Sequence, residues 1–162
     1  MRFFIDAGTI HFFAPFVRFL WARAGLGPLP GAGDAGVTLL CTLPRSGVYR
    51  CWMPLFRWTE FRKLHWAEPD ADTYLSSRNP PVVTGDPHSL ETFVERVEGG
   101  LASRPRLVLS SSFALPAPLR DRLEVATGAR VVDYYSMAET GPIAWRCGVS
   151  GTFHVLHGAV EV

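Results

Sequence analysis

Between Asp133 and Glu139 the chain reads Asp-Tyr-Tyr-Ser-Met-Ala-Glu, two acids and two tyrosines at the end of an expected strand. An aromatic ring there can stack on a flat heterocycle, and a carboxylate can hold a hard cation such as magnesium. A nucleotide with its metal needs both groups. A second polar run, Ser110-Ser111-Ser112, adds three hydroxyls. Read on these residues alone, the acidic stretch is more simply a polar loop with packed tyrosines.

Other chemistry-bearing residues carry less. Cys147 with His154 could bring two zinc ligands together across a loop, but two ligands do not define a zinc site. On a strand, His154 and His157 point to opposite faces and do not converge. His88, Ser89 and Glu91 lie at a helix start and suit capping rather than catalysis. No nucleophile elbow occurs. Gly31 to Gly36 matches the dinucleotide-binding glycine pattern by letter, yet it follows a Pro-rich turn and precedes a strand. The fingerprint needs the reverse order, so a linker is expected.

These residues must be positioned by an α/β framework. Val37 to Leu43, Pro81 to Thr84, Arg106 to Ser110 and Ala129 to Tyr134 are short apolar runs of the kind that form strands covered on both faces. Helices are expected around Trp58 to Trp66, from Asp86-Pro87 to Glu98, and from Pro116 to Ala126 with Gly128 as the stop. Such alternation predicts a mainly parallel sheet with flanking helices. Short β pieces follow at Thr152 to Leu156 and Ala159 to Val162. In such sheets ligands sit beyond the carboxyl ends of the strands, where both polar runs fall.

Residues 1–36 are expected to form an N-terminal helix and a Gly/Pro-rich linker, and residues 37–162 a partial α/β domain. The apolar run Ile10 to Trp21 is too short and too interrupted, by His11 and Arg18, to span a membrane. Thr9 is expected to cap it, with Ile10, Phe13, Phe16, Val17 and Leu20 on one buried face and a bend near Pro15.

Composition narrows the classes further. With 162 residues, 48% of them hydrophobic and 19% charged, the chain is globular rather than disordered. Sixteen Lys plus Arg against fifteen Asp plus Glu leave a net charge of +1, which points away from nucleic acid and from anionic membranes as partners. Three cysteines make no disulfide framework, so a reducing cytoplasm is the expected compartment. Four of five Trp and eight of eleven Phe lie in the first 66 residues, a concentration that would favour association if exposed. Gly47 to Phe56 could line an acyl pocket but suits core packing better.

The stretch Val132 to Pro142 (Val-Asp-Tyr-Tyr-Ser-Met-Ala-Glu-Thr-Gly-Pro) resembles the D-x-Y-G-x-(S/T)-E core of the adenylate-forming acyl-CoA ligases. Three further matches in register resemble the phenylacetate–CoA ligase-like branch. They are Val83-Thr84-Gly85-Asp86-Pro87, the loop Leu109 to Leu115 before Pro116 and Arg120, and Ile143-Ala144 to Cys147 with Gly151 to His154. Together they cover about residues 37 to 162. The resemblance implies a partial core subdomain of such an enzyme, with ATP or AMP, magnesium and a small carboxylic acid as ligands and coenzyme A as co-substrate. It implies that Tyr135 stacks on adenine, Asp133 meets the adenine amino group, and Glu139 binds magnesium. Ser136 and Ser110 to Ser112 would line the nucleotide.

Several departures qualify that implication. Ser110 to Ser112 stand where the family has a glycine-rich loop, and Ser136 stands where it has glycine. Ala138 replaces a Ser/Thr hydroxyl that holds the α-phosphate, a charged hydrogen bond worth about 1.5–3 kcal/mol. The family's SSGTTGxP phosphate loop, its Y-x-T-G-D segment and its catalytic lysine find no counterpart in this sequence. Lys63, the one lysine, falls on an expected mid-chain helix. The chain therefore reads as an internal fragment expected to be inactive alone. The alternative is a non-catalytic α/β nucleotide-binding or protein-interaction module.

Overall fold

Short β-rich runs alternate with amphipathic helices, and the structure, a computed structural model, folds them accordingly. It describes residues 7–27, 37–41, 47–53, 57–137, 141–148 and 150–156. The chain divides into two units, residues 30–133 and residues 1–29 with 134–162.

The 30–133 unit contains β1 (Val37–Cys41), β2 (Gly47–Met53), β3 (Arg57–His65), α2 (Ala71–Arg78), β4 (Val82–Gly85), α3 (Pro87–Glu98), β5 (Leu107–Ser110), α4 (Ala117–Thr127) and the start of β6 (Arg130–Met137). The strands lie in the order β2-β3-β1-β4-β5-β6. All neighbouring pairs are parallel except β2 with β3. Every residue of β4 and β5 is buried, which explains their unbroken apolar character.

Helix α3 shows why the helices stay on the sheet. Leu90, Phe93, Val94 and Val97 recur at helical spacing, and all four are buried. Each contributes about 1.5–3 kcal/mol relative to exposure. Asp86 caps this helix by accepting from the Ser89 N–H at 2.8 Å and the Ser89 hydroxyl at 3.1 Å, with Pro87 in the first turn. Gly128 closes α4 at φ 72°, a left-handed conformation that suits glycine. The helices pack one core with Leu40, Leu64, Val83 and Val108 from the sheet.

In the other unit, α1 (Ala7–Arg23) accompanies residues 134–137 of β6, β7 (Gly141–Arg146) and β8 (Phe153–Val155). These strands are antiparallel. Phe16, Val17, Leu20 and Trp21 of α1 are buried. Phe16 lies 5.2 Å from the Tyr134 ring, and Phe19 meets the Trp145 ring edge-on at 5.8 Å. No helix among the described residues is long and apolar enough to cross a membrane.

The fold is α/β as expected, with five corrections to its elements. Residues 57–65 form strand β3, not a helix. Trp58, Phe61 and Leu64 recur at helical spacing, but β3 gains backbone ladders with both β1 and β2, and sheet pairing outweighs local preference. Lys63 accordingly sits on a strand. Helix α1 begins at Ala7, so Thr9 lies inside its first turn rather than capping it. Strands β2 and β7 and helix α2 were not foreseen; α2 is short and mostly polar, with only Ala71, Tyr74 and Leu75 buried. The glycine run 31–36, His157 and the expected strand 159–162 lie outside the described residues.

Candidate functional site

The carboxyl ends of β4, β5 and β6 meet in register at Gly85, Ser110 and Asp133. Gly85 packs closely, since a Cβ there would lie 3.3 Å from the Leu40 carbonyl oxygen. Beside it the Ser110 side chain is fully buried, and its hydroxyl has no hydrogen-bond partner. A buried hydroxyl without a partner is uncommon, and a ligand or water would satisfy it.

The loop between β5 and α4 is tied at both ends. The Ser111 N–H donates to the Gly85 carbonyl at 3.1 Å. The Leu115 N–H donates to the Asp133 carboxylate at 3.4 Å. Asp133 is 3% exposed, so this contact holds a buried acid in place while anchoring the loop. Between the anchors, Ser112 takes φ 75° and Phe113 is 74% exposed. Helix α4 then starts at Pro116 without a side-chain cap.

Two residues beyond Asp133 on β6, Tyr135 is 54% exposed. The pairing with β7 shifts register between Tyr135 and Ser136. Such a bulge re-aims the side chains around it. Ser136 does not take a positive φ, so serine is accommodated where glycine was anticipated. Glu139, with Ala138 and Thr140, lies outside the described residues. The sequence-based site therefore divides. Ser110, Ser111, Ser112 and Asp133 gather in the 30–133 unit, and Tyr135 and Ser136 belong to the other.

Cys147 forms no disulfide, while the His154 ring stacks on Trp145 at 5.0 Å. Among the described residues no three His, Cys, Asp or Glu side chains gather as a metal site. Two participants escaped sequence reasoning. Phe113 lay within a matched loop without being singled out, although an aromatic at a strand's carboxyl end is a usable signal. The Leu115 amide has no sequence signature.

Comparison with solved structures finds matches among acyl-CoA ligases. A 2-hydroxyisobutyryl-CoA ligase in an open conformation, complexed with 2-HIB-AMP and CoA, superposes with TM-score 0.51 at 20% identity, over 84% of this chain and 33% of that one. An anthranilate CoA ligase complexed with anthranoyl-AMP gives 0.51 at 18% identity, over 80% and 27%. A double mutant of o-succinylbenzoate CoA synthetase from Bacillus subtilis gives 0.50 at 16% identity, over 83% and 27%. The chain thus spans about a third or less of the length of these structures. These likenesses show a shared fold. No protein-family model matches the chain, and no curated protein matches it.

Proposed function

We propose that this chain binds an adenine nucleotide at the carboxyl ends of its strands, as part of an adenylate-forming acid–CoA ligase of the phenylacetate–CoA ligase-like branch. The observation that carries the reading is the unpartnered, buried Ser110 hydroxyl on a residue whose register partner on the next strand is Asp133. A base edge carries both donors and acceptors, which a hydroxyl and a carboxylate can meet. Tyr135 supplies an accessible aromatic face for stacking.

In the parent reaction a carboxylate attacks ATP to give an acyl-adenylate and pyrophosphate, and the coenzyme A thiol then displaces AMP. Glu139 has the hard oxygen donors that magnesium takes, and the metal, when bound, offsets phosphate charge. Of the residues assigned here, Asp133 accepts from the amino group of the base, while the stacking role of Tyr135 is what the resemblance implies. This chain is expected to bind nucleotide without completing the ligation, since it has no counterpart of the SSGTTGxP loop or the catalytic lysine. The small carboxylic acid and coenzyme A are partners of the whole reaction, and a reducing cytoplasm suits a Cys147 outside any disulfide.

Calorimetric titration with AMP tests the reading, with Tyr135→Ala expected to lose binding. Incubation with ATP, magnesium and aryl acids tests inactivity; pyrophosphate release above a Glu139→Ala control would contradict it. A second reading, a protein-interaction module, is favoured by one observation. Phe153 and Val155 on β8 are 49% and 44% exposed, leaving an apolar edge.

A further inference from the structure

We propose that the amino-terminal edge of strands β4, β5 and β6, opposite the ends that carry Ser110 and Asp133, docks an extended acidic segment of a partner protein. The surface lies within the 30–133 unit and does not depend on nucleotide binding.

Three connections reach that edge: residues 78–81 from α2 to β4, 99–106 from α3 to β5, and 127–130 from α4 to β6. Together they carry four arginines, Arg78, Arg104, Arg106 and Arg130, and no Asp or Glu. All four arginines are exposed. Hydrogen bonds hold the connections side by side. The Arg104 N–H donates to the Asn79 side-chain oxygen at 2.7 Å, the Arg106 N–H to the Pro81 carbonyl at 2.9 Å, and the Arg130 N–H to the Arg106 carbonyl at 3.0 Å. The charges thus stand on one backbone frame.

That charge is not cancelled locally. Among the described residues neither Arg104 nor Arg130 takes part in an ion pair. The Arg104 guanidinium donates to the Ser103 carbonyl at 3.1 Å, which leaves its charge uncompensated. Glu98, the acid directly before the second connection, is already engaged by Arg122 of α4 at 2.8 Å. Arg78 closes α2, where a cation also suits the helix C-terminus. Arg104 and Arg130 therefore define the patch. A chain of net charge +1 gathers four of its sixteen basic residues here, a local excess that calls for an anion from outside.

The layout selects among anions. Small ligands bind in concave sites that bury most of their surface, whereas these side chains stand exposed along an edge. From β4 to β6 the edge spans two strand spacings, about 10 Å, too far for one phosphate group but not for a chain of acids. Guanidinium forks take carboxylates through paired hydrogen bonds. A nucleic acid would find no aromatic ring in these connections to stack on, and a bilayer no exposed large apolar side chain to take up.

The test is fluorescence anisotropy on the full 162-residue chain with a fluorescein-labelled peptide of glutamates. Six glutamates, at about 3.3 Å per residue, are long enough to cross the edge. Saturable binding that weakens with added salt is expected. Arg104→Glu combined with Arg130→Glu is expected to weaken it roughly tenfold or more, because like charges then face the peptide. Arg146→Gln, in the other unit, is expected to leave it unchanged. No saturable binding at millimolar peptide overturns the inference, as does equal affinity in the double variant or an equal loss in Arg146→Gln. A thymidine oligonucleotide or phosphatidylserine vesicles binding as tightly as the peptide also overturn it, because the edge would then read charge alone. Should the glutamate pair fail to fold, Arg104→Gln with Arg130→Gln makes the same comparison, with a several-fold loss expected.

Discussion

The Leu115 amide donates to the Asp133 carboxylate across 3.4 Å, joining residues 18 positions apart. That bond fastens the loop after β5 to the end of β6, and so sets where Ser110, Ser112 and Phe113 stand. A buried acid bonded by a backbone donor both shapes the loop and offers an acceptor to a ligand. Its neighbours give the account its tests.

Ser110→Ala separates ligand binding from stability. The hydroxyl is buried without a partner, so removing it is expected to leave the unfolding midpoint unchanged or to raise stability by up to about 1 kcal/mol. Nucleotide affinity is expected to fall several-fold in the same variant. A clear loss of stability with no change in affinity would assign the hydroxyl a structural partner instead.

Ser112→Gly should stabilise the chain. At φ 75° a serine side chain is disfavoured, and glycine is not. The gain is partly offset by the greater freedom of glycine in the unfolded state, leaving about 0.5–1 kcal/mol. Urea unfolding measures it, and a lowered midpoint would contradict the left-handed assignment.

Asp86→Ala should destabilise by about 1–2 kcal/mol. It removes the cap of α3 and leaves the Ser89 hydroxyl, in a fully buried residue, without its acceptor. Asp86→Asn or Asp86→Ser should recover much of the loss, because either can cap. Thermal unfolding of the three variants checks the order.

Glu98 gives a pH dependence. Its carboxyl is held below the usual range, chiefly by the hydrogen bond from Arg122, which donates from both Nε and a terminal nitrogen. A carboxyl depressed in the folded state contributes stability that is present above its unfolded pKa. That stability disappears as pH falls through the folded value. Unfolding temperatures taken down through the acidic range should therefore drop less steeply in Glu98→Gln than in the unaltered chain. The pair is solvent-exposed, so added salt should shrink the difference. Parallel acid profiles would show that the pair does not act in solution.

Much of the fold was legible because local and global signals agreed. Val82–Gly85 and Leu107–Ser110 are mostly apolar, and every residue in them is buried. Asp86-Pro87 announced the start of α3, and Gly128 the end of α4. Residues 57–65 misled because a three-residue apolar spacing there competes with pairing to strands distant in sequence. The two polar strand ends at Ser110 and Asp133 were legible, whereas their register with Gly85 comes from the strand pairing. By contrast, the orphaned hydroxyl, the left-handed Ser112 and the amide on Asp133 are products of three-dimensional packing, and residue letters do not report them.

Backbone NMR of the chain titrated with AMP tests the central claim most directly, because it reports where the nucleotide sits as well as whether it binds. The expected result is that amide shifts concentrate at residues 110–115 and at Asp133. Unmoved spectra at millimolar AMP, or shifts confined to other residues, would contradict the claim.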